Sequence, residues 1–451
     1  MNRLLSIAAR AGHVLGSNAR GEDGVVKAAP SLYPHQWSWD TAFIAIGLAQ
    51  VDASLARRNL DALFAAQWRN GMVPHIVFDD RAGDYFPGPE VWACAELTPD
   101  APEHPKTSGI CQPPVHAIAA SAILRAAEGQ GAAEAQATRQ WLERFYPKLL
   151  AWHRFLARER RDGPSGLLAI FHGWESGMDN SPRWDGPYSR VMVGPSLPAY
   201  QRRDVHHADP STRPSDRDYD RYLWLVEEAK QAHYDQRALA RSSSFRAGDV
   251  FFTAIFAAAN DYLAELSKLV GAGEEGELRH FGEDARHAVL RQSDPATGLT
   301  ADLDLRSGER LATETIAGFS PLIAGEVPAS LRDKLVEELL GPRWSGHPGL
   351  KWQVPPSTSP VSVDFRARSY WRGPTWPCMT WLFSWALRRS GEEKAAEALR
   401  HAGLTQLVGP EFAEYYEPYT GEPLGSLRQS WTAAAALDWL SEGDAPPYSQ
   451  P

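Results

Sequence analysis

The sequence has few cysteines and no long apolar run, which excludes the protein classes that depend on them. Its three cysteines, Cys94, Cys111 and Cys378, are widely spaced and form no CxxC pair, so neither a disulfide framework nor a zinc site is expected. No apolar stretch approaches the length of a membrane span, and no secretory apolar region precedes Arg10. We therefore expect a reduced, cytoplasmic protein without a membrane partner.

Basic clusters, linkers and repeats are also missing. The 46 Lys and Arg against 56 Asp and Glu give a net charge of −10, and no Lys/Arg cluster is long enough to follow a nucleic-acid backbone. No Gly/Ser-rich or Pro-rich linker divides the chain, so we expect a single domain over residues 1–451. Nucleic acid is not an expected partner, and the oligomeric state stays open, a homo-oligomer included.

Helical periodicity runs through most of the chain. Apolar residues recur at helical spacing in about twelve segments, at 39–49, 57–70, 113–128, 134–158, 219–233, 249–270, 275–290, 314–324, 329–340, 375–389, 392–407 and 427–440. No pair of alternating β-branched runs competes with them. The absence of a fixed-period repeat counts against an open solenoid. We predict an all-α protein whose helices close into a ring of six hairpins, with their loops converging at one end.

Tryptophan is unusually frequent, with 17 residues against 16 Phe and 14 Tyr. Many of these tryptophans lie beside Gly, Pro and carboxylates rather than in an apolar stripe, namely Trp37, Trp39, Trp92, Trp174, Trp184, Trp371 and Trp376. This distribution is typical of a carbohydrate pocket lined with rings.

The stretch Gly173–Asp185 combines carboxylates and indoles without helical or strand periodicity, which predicts a loop. An indole face can stack on a pyranose ring and desolvate a neighbouring carboxyl, which raises the pKa of that carboxyl and keeps it protonated near neutral pH. The alternative is a surface turn in which Asp179 or Asp185 caps the next helix.

A second acidic stretch offers the partner that such a carboxyl needs. Cleavage of a glycosidic bond requires one protonated and one ionised carboxyl on opposite sides of the sugar. The loop before 427–440 contains Glu411, Glu414 and Glu417, and Glu414 beside Tyr415 has the most aromatic setting. The alternative is a solvated acidic turn.

Five stretches combine aromatic, Pro/Gly and polar residues, namely Tyr33–Asp40, Gln112–Pro114, Gly173–Asp185, Tyr370–Trp376 and Glu414–Gly421. Together they resemble glycoside hydrolase family 63, and within it the short bacterial enzymes that act on 2-O-α-mannosyl- and 2-O-α-glucosyl-D-glycerate. The resemblance covers roughly residues 30 to 440. It implies an (α/α)6 barrel and an inverting mechanism in which Asp179 is the general acid and Glu414 the general base, about 6.5–9.5 Å apart. Such a mechanism calls for no metal and no organic cofactor.

The same resemblance places a set of side chains around the small-molecule glycoside. Those expected to surround the sugar are Tyr33, Trp37, Trp39, Asp40, Gln112, Trp174, Tyr370, Trp371 and Trp376, with Gln429 and Trp431 as further lining. Asp40 would hold ring hydroxyls, although Trp39 and Asp40 could instead be core and helix cap.

The glycerate end implies a cationic site. Arg213 and Tyr219 match the positions at which the glycerate hydrolases grip the carboxylate, and guanidinium binds carboxylate through two parallel hydrogen bonds. Tyr85 would reach the acid from a neighbouring loop. Arg217 is the nearest competitor, and the alternative for both arginines is a surface pair with Asp216 or Asp218.

A long irregular connection separates the acidic loop from the next helix. We expect a lid-like loop at about residues 175–218, because a connection of this length without periodicity is typical of functional loops. Its adjacent His206 and His207 point in different directions on most backbones, so no metal site is expected.

Three functions are consistent with the sequence. The first is hydrolysis of glucosylglycerate or mannosylglycerate, with a lean towards the glucosyl compound. The second keeps the family but moves the substrate to a neutral α-glucoside disaccharide, and it is favoured if Arg213 points away from the pocket. The third is a sugar-binding helical protein without catalysis.

Overall fold

The computed structural model describes residues 2–20, 24–82, 85–203 and 209–441. Within these ranges twelve helices form the barrel: α1 Asn2–Asn18, α2 Ser38–Ala49, α3 Ala53–Ala65, α4 His116–Gly129, α5 Ala132–Phe155, α6 Val250–Val270, α7 Glu275–Leu290, α8 Ser320–Ala324, α9 Ala329–Leu340, α10 Pro377–Arg389, α11 Glu393–Gln406 and α12 Ser430–Ser441. Outside the barrel lie the insertion helix Asp216–Gln231 and the short helices Pro89–Trp92, Cys94–Leu97, Asp185–Ser189 and Gln236–Ser242.

The barrel is a closed double ring. The inner helices α2, α4, α6, α8, α10 and α12 each contact the next, and α12 returns to α2. The outer helices α3, α5, α7, α9, α11 and α1 pack on these inner helices in the same order. This arrangement is the predicted (α/α)6 barrel, which is therefore confirmed.

Burial of the two rings follows from their positions. Every residue of α2 is buried, because an inner helix contacts two ring neighbours and an outer partner. The outer helix α3 buries only one stripe, with Ala53, Ala56, Leu60 and Leu63 at helical spacing. The apolar run from Trp39 to Ala49 is thus the sequence signature of an inner helix.

The N-terminal helix α1 corrects the predicted set of ring helices. Segment 219–233 is one of the twelve predicted helices, but the structure places this insertion helix outside the ring and α1 within it. The buried residues Ile7, Ala11, Val14 and Leu15 form the stripe of α1 that faces the barrel.

Short strands were not expected, and the structure contains ten among its described residues. They are β1 Ala19–Arg20, β2 Val25–Val26, β3 Gln36–Trp37, β4 Ile76–Val77, β5 Leu168–Ile170, β6 Ala247–Asp249, β7 Asp302–Asp304, β8 Arg310–Leu311, β9 Tyr415–Tyr416 and β10 Pro423–Leu424. β5, β6, β7 and β8 form one antiparallel sheet in that order, and the others pair as β1–β2, β3–β4 and β9–β10. Strands of two or three residues are too short to show alternation.

The irregular connection before the insertion helix is shorter than the lid-like loop expected at 175–218, because its first part is folded. Residues 173–189 form short helical turns, and Trp184 within them is fully buried. The remaining described parts, 190–203 and 209–215, contain one short helical turn, Pro210–Thr212, and are mostly half-buried or exposed. Lid movement over this narrower segment stays a prediction.

The described part of the chain contains three free cysteines. Cys94, Cys111 and Cys378 are buried and unpaired. Within the same ranges, no helix combines the length and apolar composition needed to cross a bilayer.

Helices α2 and α12 approach closely at Gly47. A Cβ atom on Gly47 would lie 2.3 Å from the backbone of Ala434. We expect Gly47→Ala to lower the free energy of unfolding by about 1–3 kcal/mol, because an added methyl group forces the two backbones apart. Urea denaturation measures the effect.

The matched control for this substitution is Gly12→Ala in α1, where a Cβ atom would meet nothing within 4 Å. Since alanine is the better helix former, we expect a gain of about 0.5–1 kcal/mol. Equal changes in the two variants would contradict the close approach at Gly47.

Candidate active site

A cavity of about 300 Å³ opens at the end of the barrel where the inner helices begin. Its wall comes from the segments that precede α2, α4, α10 and α12, together with the Gly173–Asp185 loop and the region around the insertion helix. The predicted site residues that line it are Tyr33, Trp37, Trp39, Asp40, Tyr85, Gln112, Trp174, Asp179, Arg213, Tyr219, Tyr370, Trp371, Glu414 and Trp431. The folded ring therefore brings together side chains from almost the whole length of the chain.

Glu414 is a buried carboxyl with three hydrogen-bond donors. Its Oε1 accepts from the hydroxyls of Tyr33 at 2.8 Å and Tyr370 at 3.2 Å, and its Oε2 accepts from the backbone N–H of Ser426 at 3.2 Å. Burial raises the pKa of Glu414, while the charge of Arg213 and these donors work against the rise. A carboxylate that accepts three hydrogen bonds is suited to act as a base.

Asp179 lies in the wall of the same cavity and is half-buried. Burial raises its pKa to about 7, the charge of Glu414 adds to the rise, and Arg213 opposes it. A carboxyl with this pKa keeps its proton in a large fraction of molecules near neutral pH, which is what a general acid requires.

The loop that carries Asp179 has a fixed shape. Gly177 has a φ of +72°, and a Cβ atom there would lie 2.6 Å from the ring of Trp39, so only glycine fits. The Trp184 indole donates to the carbonyl of Met178 and to Ser176 Oγ, both at 3.2 Å. Asp179 is thus presented from a loop held on both sides.

The other two carboxylates of this loop have structural surroundings. Glu175 is fully buried and pairs with Arg160 at 2.7 Å, which together with backbone donors lowers its pKa against the effect of burial. Asp185 pairs with Arg372 through two hydrogen bonds of 2.8 and 2.6 Å and joins the acid loop to the loop before α10. Only Asp179 of the three faces the cavity.

Asp40 adds a third carboxyl to the cavity. It lies in the first turn of α2, whose N-cap position belongs to Trp37 without a side-chain cap, so the helix-cap alternative for Asp40 is wrong. Burial and the charges of Glu414 and Asp179 raise the pKa of Asp40 well above its usual range. These surroundings favour the protonated carboxyl, which can both donate a hydrogen bond and accept one.

Tryptophans form two layers at the base of the cavity. Trp371 lines the wall and stacks on Trp376 behind it, with ring centroids 3.6 Å apart. Trp376 in turn stacks on Tyr415 at 4.6 Å, so its ring is covered on both faces. Trp376 is therefore not among the residues that line the cavity, and it supports Trp371 from the second layer.

Gln429 also lies outside the lining, contrary to the prediction. It is fully buried, and its backbone N–H donates to the carbonyl of Phe412 at 2.7 Å. Its neighbour in the same motif, Trp431, reaches the cavity and meets Trp39 edge-on at 5.8 Å.

The cationic end of the cavity is built around Arg213. Its guanidinium lies over the ring of Tyr370 at 4.5 Å, and its Nη1 donates to the Tyr33 hydroxyl at 3.5 Å. Tyr219 from the insertion helix and Tyr85 complete this end. The competing Arg217 is exposed and absent from the wall.

Two titratable side chains in the cavity wall were not predicted from the sequence. Arg203 adds a second guanidinium to the wall, and His75 adds an imidazole that burial keeps neutral by lowering its pKa to about 3. Neither belongs to an aromatic motif, so no pattern in the sequence marked them.

The adjacent histidines His206 and His207 lie outside the described residues. In the part of the chain that is described, no group of three or more His, Cys, Asp and Glu side chains is placed to hold a metal ion.

An acid with a pKa near 7 beside a hydrogen-bonded carboxyl, in an aromatic cavity at the mouth of a six-hairpin barrel, defines the class as a glycoside hydrolase. The sequence profile of the mannosylglycerate hydrolase MGH1-like glycoside hydrolase domain matches residues 33–432. The chain belongs to this MGH1-like family, and this confirms the resemblance to glycoside hydrolase family 63.

Characterised relatives extend over nearly the whole chain. The glucosylglycerate hydrolase of Mycolicibacterium hassiacum is 50% identical over 443 residues, which cover 96% of this chain and 97% of that protein. The mannosylglycerate hydrolase of Thermus thermophilus is 41% identical over 436 residues, covering 95% and 99%. A crystal structure of a family 63 mannosylglycerate hydrolase from Thermus thermophilus, in complex with Tris and D-glycerate, superposes with a TM-score of 0.86 at 39% identity, covering 96% and 99%.

Proposed function

We propose that this chain is an inverting α-glycosidase that hydrolyses 2-O-α-glucosyl-D-glycerate, 2-O-α-mannosyl-D-glycerate or both to free sugar and glycerate. The relatives named for these two activities support the substrate class. The single observation that carries the proposal is the cavity that pairs Asp179, with its pKa of about 7, with Glu414 beside Arg213.

In this mechanism Asp179 protonates the glycosidic oxygen as its bond to the anomeric carbon breaks. Glu414 takes a proton from a water molecule that attacks the same carbon from the opposite face, so the configuration inverts. Asp179 ends ionised and Glu414 ends protonated. The separation of about 6.5–9.5 Å between the two carboxyls, which leaves room for the water, stays a prediction.

The remaining wall would hold the two halves of the substrate. We assign the sugar to the aromatic side chains around Trp39 and Trp371, with Asp40 on its hydroxyls. The carboxylate of glycerate would bind Arg213, with Tyr219 and Tyr85 as hydroxyl donors. Because Arg213 lines the cavity, a charged substrate is favoured over a neutral α-glucoside disaccharide.

Glucose is favoured over mannose as the sugar. The two differ in the orientation of one hydroxyl, and the 50% identity to a glucosylglycerate hydrolase exceeds the 41% identity to the mannosylglycerate hydrolase of Thermus thermophilus. We therefore place glucosylglycerate first and expect mannosylglycerate to be the slower substrate.

The experiment that tests this function follows both compounds side by side by NMR. Release of the β-anomer of glucose from 2-O-α-glucosyl-D-glycerate supports inversion and the substrate together. Release of the α-anomer would overturn inversion. No release from either compound would overturn the glycerate assignment and favour the alternative substrates, the neutral α-glucoside disaccharides.

The pH dependence of kcat/KM reports both carboxyls of the free enzyme. Asp179 acts in its protonated form, so activity should fall as the pH rises through about 7, where Asp179 loses its proton. Glu414 acts in its ionised form, so activity should also fall on the acidic side as Glu414 becomes protonated. An alkaline limb that stays flat up to pH 9 would contradict Asp179 as the acid.

Replacement of Arg213 tests the carboxylate site. Arg213→Gln should raise KM for glucosylglycerate about 30-fold, because a charge-assisted hydrogen-bonded contact is lost. The KM for 2-O-α-glucosylglycerol, which lacks the carboxylate, should change by less than about threefold.

The matched control is Arg217→Gln, since Arg217 is exposed and outside the cavity. Its KM values for both compounds should stay at the wild-type level. An equal rise for the charged and the neutral compound in Arg213→Gln would show that Arg213 does not read the carboxylate.

A further inference from the structure

A buried guanidinium lies inside the loop that carries Asp179. Arg183 belongs to the short helical turn Pro182–Trp184, four positions after Asp179, and only 1% of its side chain is exposed. Its Nη1 donates to Asp249 at 3.2 Å and to both carboxylate oxygens of Asp302 at 3.1 Å. A buried arginine with two acids connects parts of the chain that are far apart in sequence.

The two acids are fixed to the barrel. Asp249 ends β6 and caps α6, where its Oδ1 accepts the backbone N–H groups of Phe251 at 2.8 Å and Phe252 at 3.1 Å. Asp302 lies in β7 and accepts the N–H of Val250 at 2.9 Å. The partners of Arg183 therefore cannot shift without the first turn of an inner helix.

The other terminal nitrogen of the same guanidinium, Nη2, contacts the acid loop. Nη2 lies 3.6 Å from the sulfur of Met178, the residue that precedes Asp179. The guanidinium carbon lies 4.2 Å from the ring of Trp184, whose indole N–H donates to the carbonyl of Met178. Met178 is thus held through its side chain and its main chain, and both contacts lead to Arg183.

We propose that Arg183 is a positioning residue for the general acid, one that clamps the Asp179 loop to the start of α6 through Asp249 and Asp302. This proposal rests on the assignment of Asp179 as the acid. The planar fork of arginine presents donors along separate edges, whereas the ammonium group of lysine is a point donor that cannot reach the acids and Met178 together. A displacement of about 1 Å in a catalytic group can lower a rate about 100-fold.

The test compares two substrates that differ in their need for the acid. Hydrolysis of glucosylglycerate requires protonation of the leaving oxygen. In α-D-glucosyl fluoride the leaving group departs as the fluoride anion and needs no proton, while Glu414 still takes the proton of the attacking water. Arg183→Lys should lower kcat for glucosylglycerate about 30-fold, and for the fluoride by less than about threefold. The alkaline limb of the pH profile should move in the same variant, since the loop that sets the surroundings of Asp179 is released.

Arg286→Lys is the matched control. Arg286 is also buried and paired with an acid, Asp261 at 2.8 Å, and the pair joins α7 to α6. The control variant should lose a comparable amount of stability while the ratio of the two kcat values stays at the wild-type level. Met178→Leu keeps the bulk of the side chain but removes the sulfur that contacts Arg183. If Arg183→Lys does not fold, this variant tests the clamp instead.

A selective loss on glucosylglycerate in Arg183→Lys or in Met178→Leu supports the clamp. Equal losses on both substrates, or an unchanged ratio in every folded variant, overturn it and leave Arg183 with a structural role. Failure of Asp179 as the acid is seen separately, because Asp179→Asn would then show no preference between the two substrates.

Discussion

Asp179→Asn should lower kcat for 2-O-α-glucosyl-D-glycerate by about 1,000-fold, because asparagine has the same shape but no acidic proton to give to the glycosidic oxygen. The loss for α-D-glucosyl fluoride should stay below about tenfold, since fluoride leaves without protonation. Steady-state glucose release at pH 6 measures both rates, and circular dichroism checks that the variant is folded.

Asp185→Asn is the matched control for this prediction. Asp185 lies in the same loop, and 56% of its side chain is exposed beside Arg372. A partly exposed ion pair contributes little, so activity should stay within about tenfold of wild type. Comparable losses in Asp179→Asn and Asp185→Asn would contradict the distinction between a catalytic and a structural acid.

Glu414→Gln should lower kcat by about 1,000-fold for both substrates, because each requires a base to take the proton of the attacking water. This pattern differs from that of Asp179→Asn, which spares the fluoride. The substitution also removes a negative charge that raises the pKa of Asp179. We therefore expect that pKa to fall in the variant, as measured by carbon NMR of the carboxyl.

The control here is Glu411→Gln, from the same acidic stretch. Glu411 and Glu417 do not line the cavity, and Glu417 instead accepts the N–H groups of Tyr419 and Thr420 within its own turn. Glu411→Gln should keep full activity on both substrates. A normal rate for the fluoride in Glu414→Gln would exclude Glu414 as the base.

The helical ring was predictable because burial determines where apolar residues occur along each helix. An inner helix such as α2 is apolar on all sides, and the outer helices show a single stripe. The helix α1 escaped prediction although Ile7, Ala11 and Val14 follow helical spacing, because Gly12 and Gly16 lower its helix propensity. The strands escaped because two or three residues cannot display a period.

Site residues were predictable where a catalytic carboxyl lies within an aromatic motif. They were less predictable where packing determines which side chain of a motif faces the cavity. Asp179 and Glu414 lie among rings and reach the cavity as expected. Trp371 and Trp376 belong to one motif, yet only the fold determines that the first faces the cavity and the second supports it. Arg203 is a single cation without a motif, so only its position in the folded chain identifies it.

Ring closure between α2 and α12 also constrains how the enzyme is made. The two helices are separated by most of the described chain, and α1 docks on α12 as well. During synthesis the early hairpins therefore remain incomplete, with one apolar side uncovered, until α12 leaves the ribosome. Glu414 and Trp431 emerge at that same late stage, so the nascent barrel gains its closing contacts and its proposed base together.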